Sequence, residues 1–383
     1  MLLECIEAID FRNLSGKVFW DKGLNVIYGN NAQGKTNWLE AIHLLATSRS
    51  FRTQRLKEAI RFDADLAVVR GSVMHGQESQ RDLQVTLQGN GKSIQVNGKR
   101  EPLNSYLSQL HAVAFTADEL DVIRGVPESR RRFIDRGAVS IHPVYLTTLT
   151  DFGRVIKQKN RLLHDASISG IKFEAVRDLI APWNEQLVQL SSDIHQARTD
   201  YVDRLNNAFE RRLFENEDLS IRYVSSLEDK GDMSDFKALI SERLNLRLPA
   251  EIAAGYSLVG PHRDDLEILF DGRDVRTFGS SGQQRSALIT LDLAAITVYH
   301  SQHKDYPLFL MDDVDAELDR RRIGFLLEYL EGRSQAFITT SKESLAAQFK
   351  SNARAYRIKE GLVVQEDLSD MAQLATSALE SIR

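Results

Sequence analysis

Residues 29–36 read Gly-Asn-Asn-Ala-Gln-Gly-Lys-Thr, which is the spacing G-x-x-x-x-G-K-[ST] of a phosphate-binding loop. In such a loop, successive backbone N–H groups and the amino end of the following helix form a positive concavity for a polyphosphate. Lys35 is long enough to reach the β- and γ-phosphates, and the Thr36 hydroxyl is a ligand for Mg²⁺. This segment therefore predicts a nucleoside triphosphate site.

The flanking sequence has the order of elements that this loop requires. Residues 24–28 form a short apolar run typical of a buried strand, and residues 37–45 carry apolar side chains at helical spacing. Because strand, loop and helix follow one another, a chance match of a glycine loop is the weaker interpretation. We expect ATP and Mg²⁺ as cofactors, with the nucleotide bound by Gly29, Asn30, Asn31, Ala32, Gln33, Gly34, Lys35 and Thr36.

The composition describes an ordinary globular chain of 383 residues, of which 42% are hydrophobic and 27% charged. The formal net charge is −5, so a contact with nucleic acid requires a local basic patch. The single cysteine, Cys5, rules out an internal disulfide. Acidic residues interrupt the N-terminal segment, and no apolar run approaches the roughly 20 residues of a membrane span. We therefore expect a cytoplasmic protein with no membrane partner.

The pattern of apolar residues changes twice along the chain. Residues 82–88 and 92–96 alternate, which predicts an antiparallel β subdomain beside the nucleotide site. From residue 126 to 250 the pattern is helical, with an amphipathic helix over 187–208 that we expect to begin at Pro182 and to pack on a helix near 144–165. Strand and helix patterns alternate again afterwards. The predicted organisation is one α/β domain divided by a helical arm: 1–125, arm 126–250, 251–367, and a polar tail 368–383.

A second apolar run ends in two aspartates. Residues 308–311 are Leu-Phe-Leu-Met, followed by Asp312 and Asp313, and we call this predicted strand with its two aspartates the acid strand. Strands often end in aspartate simply for solvation, but beside a phosphate loop such a carboxylate faces Mg²⁺. We therefore assign Asp312 to the metal together with Thr36, and Asp313 to activation of the attacking water. Lys35, Asp312 and Asp313 are the predicted catalytic residues.

A serine-rich helix start lies between the two halves of this site. Residues 278–285 read Phe-Gly-Ser-Ser-Gly-Gln-Gln-Arg, which on their own indicate a turn and a helix cap. Their position before the acid strand, with Ala-Glu-Leu-Asp at 316–319 after it, resembles ABC-type ATPases. The resemblance implies an ABC-type ATPase head with a mixed sheet. It also implies that Ser280, Gly282 and Gln283 bind the γ-phosphate held by a second copy of the chain.

Further stretches resemble the RecF family of bacterial recombination mediators. They are Pro-Glu-Ser-Arg-Arg-Arg-Phe-Ile-Asp at 127–135, Val-Ile-Lys-Gln-Lys-Asn-Arg-Leu-Leu at 155–163, Gly-Pro-His-Arg-Asp-Asp at 260–265, the acid strand with 316–319, Asn13, and Ser-Phe-Arg at 50–52. The resemblance implies an ATP-dependent homodimer that binds DNA at single-strand/duplex gaps and helps to load the recombinase. Partners would be mediators of the RecR and RecO type, with links to replication restart and the SOS response.

Two features of related ATPases are missing. No histidine follows the predicted strand 336–340, where transport ATPases have their switch histidine, and no clear glutamine for a Q-loop occurs near 115–119. No glutamine or histidine that would hold the attacking water beside Asp313 can therefore be assigned, and we expect a weak, DNA-stimulated ATPase that acts mainly as a binding switch. The alternatives are an SMC-like or nuclease-associated repair ATPase, and a nucleotide-binding scaffold without a DNA role.

Basic residues concentrate at the start of the helical arm. The predicted DNA-binding residues are Arg130, Arg131, Arg132, Lys157, Lys159 and Arg161. A solvated face with internal ion pairs, such as Arg131 with Asp135, is the competing interpretation. Because aromatic residues are not interleaved with these cations, the pattern favours contacts with a duplex backbone over stacking on single strands.

Overall fold

The computed structural model describes residues 1–76, 79–89, 91–169, 172–209, 218–348 and 353–364; the predicted tail 368–383 lies outside them. The strands are β1 (Leu2–Phe11), β2 (Leu14–Phe19), β3 (Leu24–Tyr28), β4 (Leu66–His75), β5 (Ser79–Gln88), β6 (Gly91–Val96), β7 (Lys99–Arg100), β8 (Ala112–Phe115), β9 (Leu219–Val224), β10 (Asp265–Phe270), β11 (Arg273–Asp274), β12 (Leu308–Met311), β13 (Ala336–Thr340), β14 (Ala353–Lys359) and β15 (Leu362–Val364).

The described residues also form α-helices. They are α1 (Lys35–Thr47), α2 (Leu103–Leu107), α3 (Asp121–Arg124), α4 (Pro127–Ile141), α5 (Tyr145–Ser169), α6 (Phe173–Ala208), α7 (Phe236–Ala254), α8 (Val275–Phe278), α9 (Ser281–His303), α10 (Val314–Glu317), α11 (Arg320–Leu330) and α12 (Glu343–Gln348). Within the described residues, none of these helices combines the length and apolar content that a membrane span requires.

The first compact unit comprises residues 1–119 and the described residues from 295 onward. It contains an antiparallel sheet of order β2-β1-β4-β5-β6-β7 and a mostly parallel sheet of order β15-β14-β3-β13-β12-β8. Helix α1 contributes Trp38, Leu39 and Leu45 to the core that these sheets share. In the parallel sheet β13 lies between β3 and β12, so the carboxyl ends of these three strands are neighbours.

The second compact unit comprises residues 120–294. The predicted amphipathic helix is the carboxyl-terminal part of α6, and it packs on α5, as expected for the helix near 144–165. The unit extends beyond the arm predicted at 126–250 for a physical reason. Strand β9, which the sequence analysis missed, pairs antiparallel with β10, with Tyr223 opposite Leu266. Because of that pairing, the residues that follow position 250 belong to the same compact unit as the helices.

Pro182 does not begin α6, as the sequence predicted, but lies inside it. A proline within a helix removes one N–H donor and usually costs about 3 kcal/mol. The carbonyl left without its helical donor is that of Asp178, four residues earlier, and because Asp178 is exposed this carbonyl can be hydrated. The apolar stripe on the buried side, including Ile180 and Leu187, continues across the proline and stabilises the helix on both sides of it.

Two glycines of this unit give matched tests of packing. A Cβ at Gly137 on α4 would lie 1.9 Å from Cζ of the buried Tyr201, whereas a Cβ at Gly153 on α5 would meet no atom within 4 Å. We expect Gly137→Ala to lower the free energy of unfolding by about 1–3 kcal/mol, because the ring cannot move without disturbing the core. Gly153→Ala should raise it by up to about 1 kcal/mol, because alanine favours the helix. Urea denaturation measures both, and equal stability of the two variants would contradict the close α4–α6 packing.

Candidate nucleotide site and basic surface

The phosphate loop has the backbone conformation that its glycines allow. Gly29 has φ 144° and Gly34 has φ 106°, both in the region that favours glycine. At Gly29 a Cβ would lie 2.6 Å from the carbonyl oxygen of Ile358, so a side chain cannot be accommodated there. Lys35 Nζ donates hydrogen bonds to the carbonyl oxygens of Gly29 (2.8 Å) and Asn30 (3.0 Å). The ammonium group is therefore held over the loop, where a phosphate would accept from it.

The turn between β14 and β15 holds the loop from outside, which the sequence analysis did not foresee. Gln33 accepts two backbone hydrogen bonds from this turn: its carbonyl oxygen from the N–H of Gly361, and its side-chain oxygen from that of Glu360, each at 2.7 Å. Trp38 Nε1, on α1, donates to the carbonyl oxygen of Gly361 at 3.1 Å. The turn thus fixes the loop and the first part of α1 together.

The acid strand and α1 are joined by hydroxyl groups. Thr36 Oγ1 lies 2.9 and 3.1 Å from the two carboxylate oxygens of Asp312, and Thr339 Oγ1 donates to Asp312 Oδ1 at 2.7 Å. One hydroxyl and one carboxylate side by side are the oxygen ligands that Mg²⁺ takes from a protein when nucleotide and water supply the rest. The donor set therefore fits the predicted metal.

Asp313 follows in an unusual backbone conformation. Its φ of 52° and ψ of 50° are left-handed, a strained arrangement for a residue other than glycine, and its N–H donates to Thr339 Oγ1 at 2.8 Å. The side chain is exposed, unlike that of Asp312. Burial lowers the pKa of Lys35, and Asp313, Asp312 and Asp315 oppose that shift in this order. The site thus combines one cation with three carboxylates that act on it, an electrostatic role that a bound polyphosphate would share.

A buried carboxylate on α1 organises the segments that resemble RecF. Glu40 is fully buried, and Arg12 binds it through two hydrogen bonds of 2.8 and 3.0 Å. Ser50 Oγ also donates to Glu40, and Arg52 donates to Asn37 on the first turn of α1. The only sequence signal for this arrangement is an acidic residue among the apolar positions of α1. The network fixes Arg12 and residues 50–52 beside the phosphate loop.

The serine-rich helix start lies in the second unit and forms a reciprocal cap. The N–H of Gln283 donates to Ser280 Oγ at 3.2 Å, and the N–H of Ser280 donates to Gln283 Oε1 at 2.9 Å. This is the capping-box arrangement, which fixes the first turn of α9. Ser280 and Ser281 are exposed. The predicted γ-phosphate ligands Ser280, Gly282 and Gln283 are therefore assembled at one helix end.

Part of the predicted DNA-binding set is internal and must be corrected. Lys159 is fully buried, with Nζ 2.7 Å from Oε2 of the fully buried Glu251. Arg130 is buried and binds Asp265 through two hydrogen bonds of 2.6 and 2.8 Å, while Arg131 donates to the backbone oxygen of Asp264. These interactions use the charges that the sequence assigned to phosphate. Arg132, Lys157 and Arg161 are exposed, and Arg132 pairs with Glu128 on its own helix.

The two arginine-containing motifs of this unit meet in one network. Asp135, at the end of the first motif, pairs not with Arg131 but with Arg198 on α6, through two hydrogen bonds of 2.9 Å. Arg198 also donates to the carbonyl oxygen of Pro261 in the second motif. Burial opposes the charge on Arg198, but its hydrogen bonds to Asp135 raise its pKa above the usual value. His262 and Arg263 both bind the backbone oxygen of Ser257. These two motifs therefore have a structural role inside the second unit.

A phosphate loop after β3 and an acid strand, β12, that are separated in one sheet only by β13 define the nucleotide-binding head of an ABC-type ATPase. The family model described as RecF/RecN/SMC N terminal domain matches residues 2–363. The DNA replication and repair protein RecF of Lactobacillus gasseri is 36% identical over 375 residues, covering 95% of this chain and 99% of that protein. RecF of Bacillus subtilis is 33% identical over 377 residues, covering 95% and 100%.

The fold is also similar to that of a solved structure. It is described as the recombination mediator protein RecF with ATP in the RecFOR pathway, and it matches with a TM-score of 0.85 at 30% identity, over 96% of this chain and 98% of that one. The chain belongs to the RecF family. The family assignment and the ABC-type fold expected from the motifs are thus confirmed.

Two lysines of α5 allow a comparison between a buried ion pair and an exposed surface charge. We expect Lys159→Met to lower the free energy of unfolding by about 3–5 kcal/mol, because it leaves the Glu251 charge buried without its partner. Lys157→Met, two residues away and exposed, should change stability by less than about 0.5 kcal/mol. If Lys157 contacts a DNA phosphate, its variant should also reduce the log–log salt slope of DNA binding by about 1. Denaturant titration and binding at several salt concentrations measure these effects; equal stability of both variants would contradict the buried ion pair.

Proposed function

We propose that the chain is an ATP-dependent DNA-binding protein of recombinational DNA repair, which joins two heads around DNA when ATP is bound and releases it on slow hydrolysis. The observation that carries this is membership of the RecF family, shown over 95% of the chain, together with the Thr36–Asp312 contact that joins the two halves of a nucleotide site. The relatives are bacterial proteins named for DNA replication and repair, so the proposed location is the cytoplasm, where bacterial DNA lies. Single-strand/duplex junctions and mediator proteins of the RecR and RecO type are the proposed partners.

Each group in the nucleotide site has a proposed task. Lys35 would bind the β- and γ-phosphates, and Thr36 with Asp312 would hold Mg²⁺, which neutralises phosphate charge when bound. The exposed carboxylate of Asp313 would orient and deprotonate the attacking water. Carboxylates already surround Lys35, so an arriving triphosphate needs the metal to offset repulsion from Asp312 and Asp313.

Assembly and DNA binding would depend on the second unit. Ser280 and the amino end of α9 are exposed, so a γ-phosphate on another copy can reach them. Arg132, Lys157 and Arg161 remain the proposed phosphate contacts, since they are the exposed members of the predicted basic set. A dimer would present this set twice to one duplex.

The first prediction for this function concerns the link between nucleotide and DNA. DNA affinity should rise with ATP over ADP or no nucleotide, because DNA favours the dimer and linkage is reciprocal. If each copy neutralises two or three phosphates, the slope of log affinity against log salt concentration should lie between roughly −2 and −3 for the monomer. For the dimer it should lie between about −4 and −5. Lys35→Ala should weaken ATP binding and abolish the ATP effect on DNA, whereas a change at the exposed Lys22 should alter neither. Fluorescence anisotropy measures both affinities.

The outcomes of this experiment separate the competing functions. DNA affinity that ignores nucleotide, with a slope near zero, would favour a nucleotide-binding scaffold. Rapid, multiple-turnover hydrolysis in a parallel ATPase assay, without a stable DNA complex, would favour an SMC-like or nuclease-associated ATPase. ATP binding that survives Lys35→Ala unchanged would contradict the phosphate-loop assignment itself.

A second prediction concerns the dimer. Ser280→Arg should leave ATP binding to the first unit intact but prevent ATP-dependent dimerisation, because a bulky cation replaces the small hydroxyl at the helix end. Thr277→Arg, at an exposed position of the neighbouring α8, is the matched control for added charge and size. Sedimentation velocity with and without ATP measures assembly. Dimers that survive Ser280→Arg would refute a contact in trans at this helix end.

A further inference from the structure

The carboxyl end of β13 occupies a central position in the nucleotide site. Because β13 lies between β3 and β12, the segment that leaves it emerges between the phosphate loop and the acid strand. Ligands of parallel sheets bind outside the carboxyl ends of the strands. The segment reads Thr340-Ser341-Lys342 and contains no histidine, so it differs from the transport ATPases where a histidine at this point senses the γ-phosphate.

One carboxylate holds this segment. Thr340 Oγ1 donates to Asp315 Oδ1 at 2.6 Å, and Ser341 Oγ lies 3.4 Å from Asp315 Oδ2. Lys342 Nζ lies 3.4 Å from the same Oδ2, and the N–H of Lys342 donates to Thr340 Oγ1 at 3.0 Å. Asp315, two residues beyond Asp313, therefore ties the acid strand to the end of β13 through three consecutive side chains.

The exposure of the ion pair is unequal. The side chain of Asp315 is 9% exposed, whereas that of Lys342 is 62% exposed. An ammonium group has three N–H donors, so pairing with one carboxylate leaves donors for a second anionic acceptor. Asp315 is also among the carboxylates that act on the Lys35 ammonium, so both lysines belong to the same electrostatic environment. The arrangement is an exposed cation paired with a largely buried carboxylate at the edge of the phosphate site.

We propose that Lys342 is a second phosphate-binding cation of this site, that Asp315 positions it, and that the pair recognises the γ-phosphate in place of a switch histidine. The inference rests on the proposed binding of ATP. A cation at the end of β13, beyond the phosphate loop and beside the acid strand, reaches the terminal phosphate rather than the α-phosphate at the loop. Lys342 therefore distinguishes ATP from ADP, while Lys35 binds both.

The test compares the affinities of the purified full chain for ATP and ADP by calorimetry in the presence of Mg²⁺. Lys342→Ala should weaken ATP binding roughly tenfold, the range of one charge-assisted hydrogen bond, and leave ADP binding unchanged. Lys342→Arg keeps the charge and should restore most of the ATP preference. Lys22→Ala, at an exposed lysine before the amino end of β3, should leave both affinities at the parental value.

Asp315→Asn provides the positioning test. The amide can still accept from Thr340 but no longer attracts Lys342, so kcat for ATP should fall more than ATP affinity. An unchanged ATP-to-ADP affinity ratio in folded Lys342→Ala would overturn the proposal, as would a parental kcat in Asp315→Asn. Failure of the wild-type chain to bind ATP at all would instead refute the proposed function, so the two failures are distinguishable. Circular dichroism melting confirms that each variant is folded.

Discussion

The contact between Thr36 and Asp312 is the interaction on which the first unit depends. It joins the first turn of α1 to the end of β12, and Thr339 on the intervening strand donates to the same carboxylate. Three elements that are distant in sequence thereby meet at one half-buried acid. Since hydrogen bonds to a charged acceptor are stronger than neutral ones, the joint fixes the register of loop, helix and acid strand before any ligand arrives.

The second unit uses charge differently. Its arginine-rich motifs look like a surface for polyanions, yet Arg130, Arg198 and Lys159 are buried and paired. Removing a charge from water is costly unless a partner of opposite sign is held in good geometry, so each pair constrains the elements that carry it. The motifs at 127–135 and 260–265 are therefore joined to each other rather than directed outward. What remains exposed is a smaller basic set with a different composition.

The sequence predicted the local structure correctly wherever a candidate site is built from contiguous residues. The phosphate loop, its flanking strand and helix, the acid strand and the cap at Ser280 are local patterns, and each formed as predicted. The sequence did not predict contacts between residues that are far apart in the chain. No local pattern indicates that Lys159 pairs with Glu251 or that Glu40 binds Arg12. Strand β9 likewise depends on its pairing with the distant β10. Pro182 misled because the hydrophobic face of α6 outweighs the local penalty of a proline.

The cap at the start of α9 has a consequence for how an anion would be recognised. A serine hydroxyl offers one donor and two acceptor positions, and the cap uses an acceptor for the N–H of Gln283. The cap does not use the single donor of the hydroxyl, which lies at a helix end where the peptide dipoles already favour negative charge. In the proposed dimer, helix formation and anion recognition would share one atom, so fraying of the first turn would release the hydroxyl and the phosphate together. A docked partner would in return protect that turn from opening, so amide hydrogen exchange there would report on assembly.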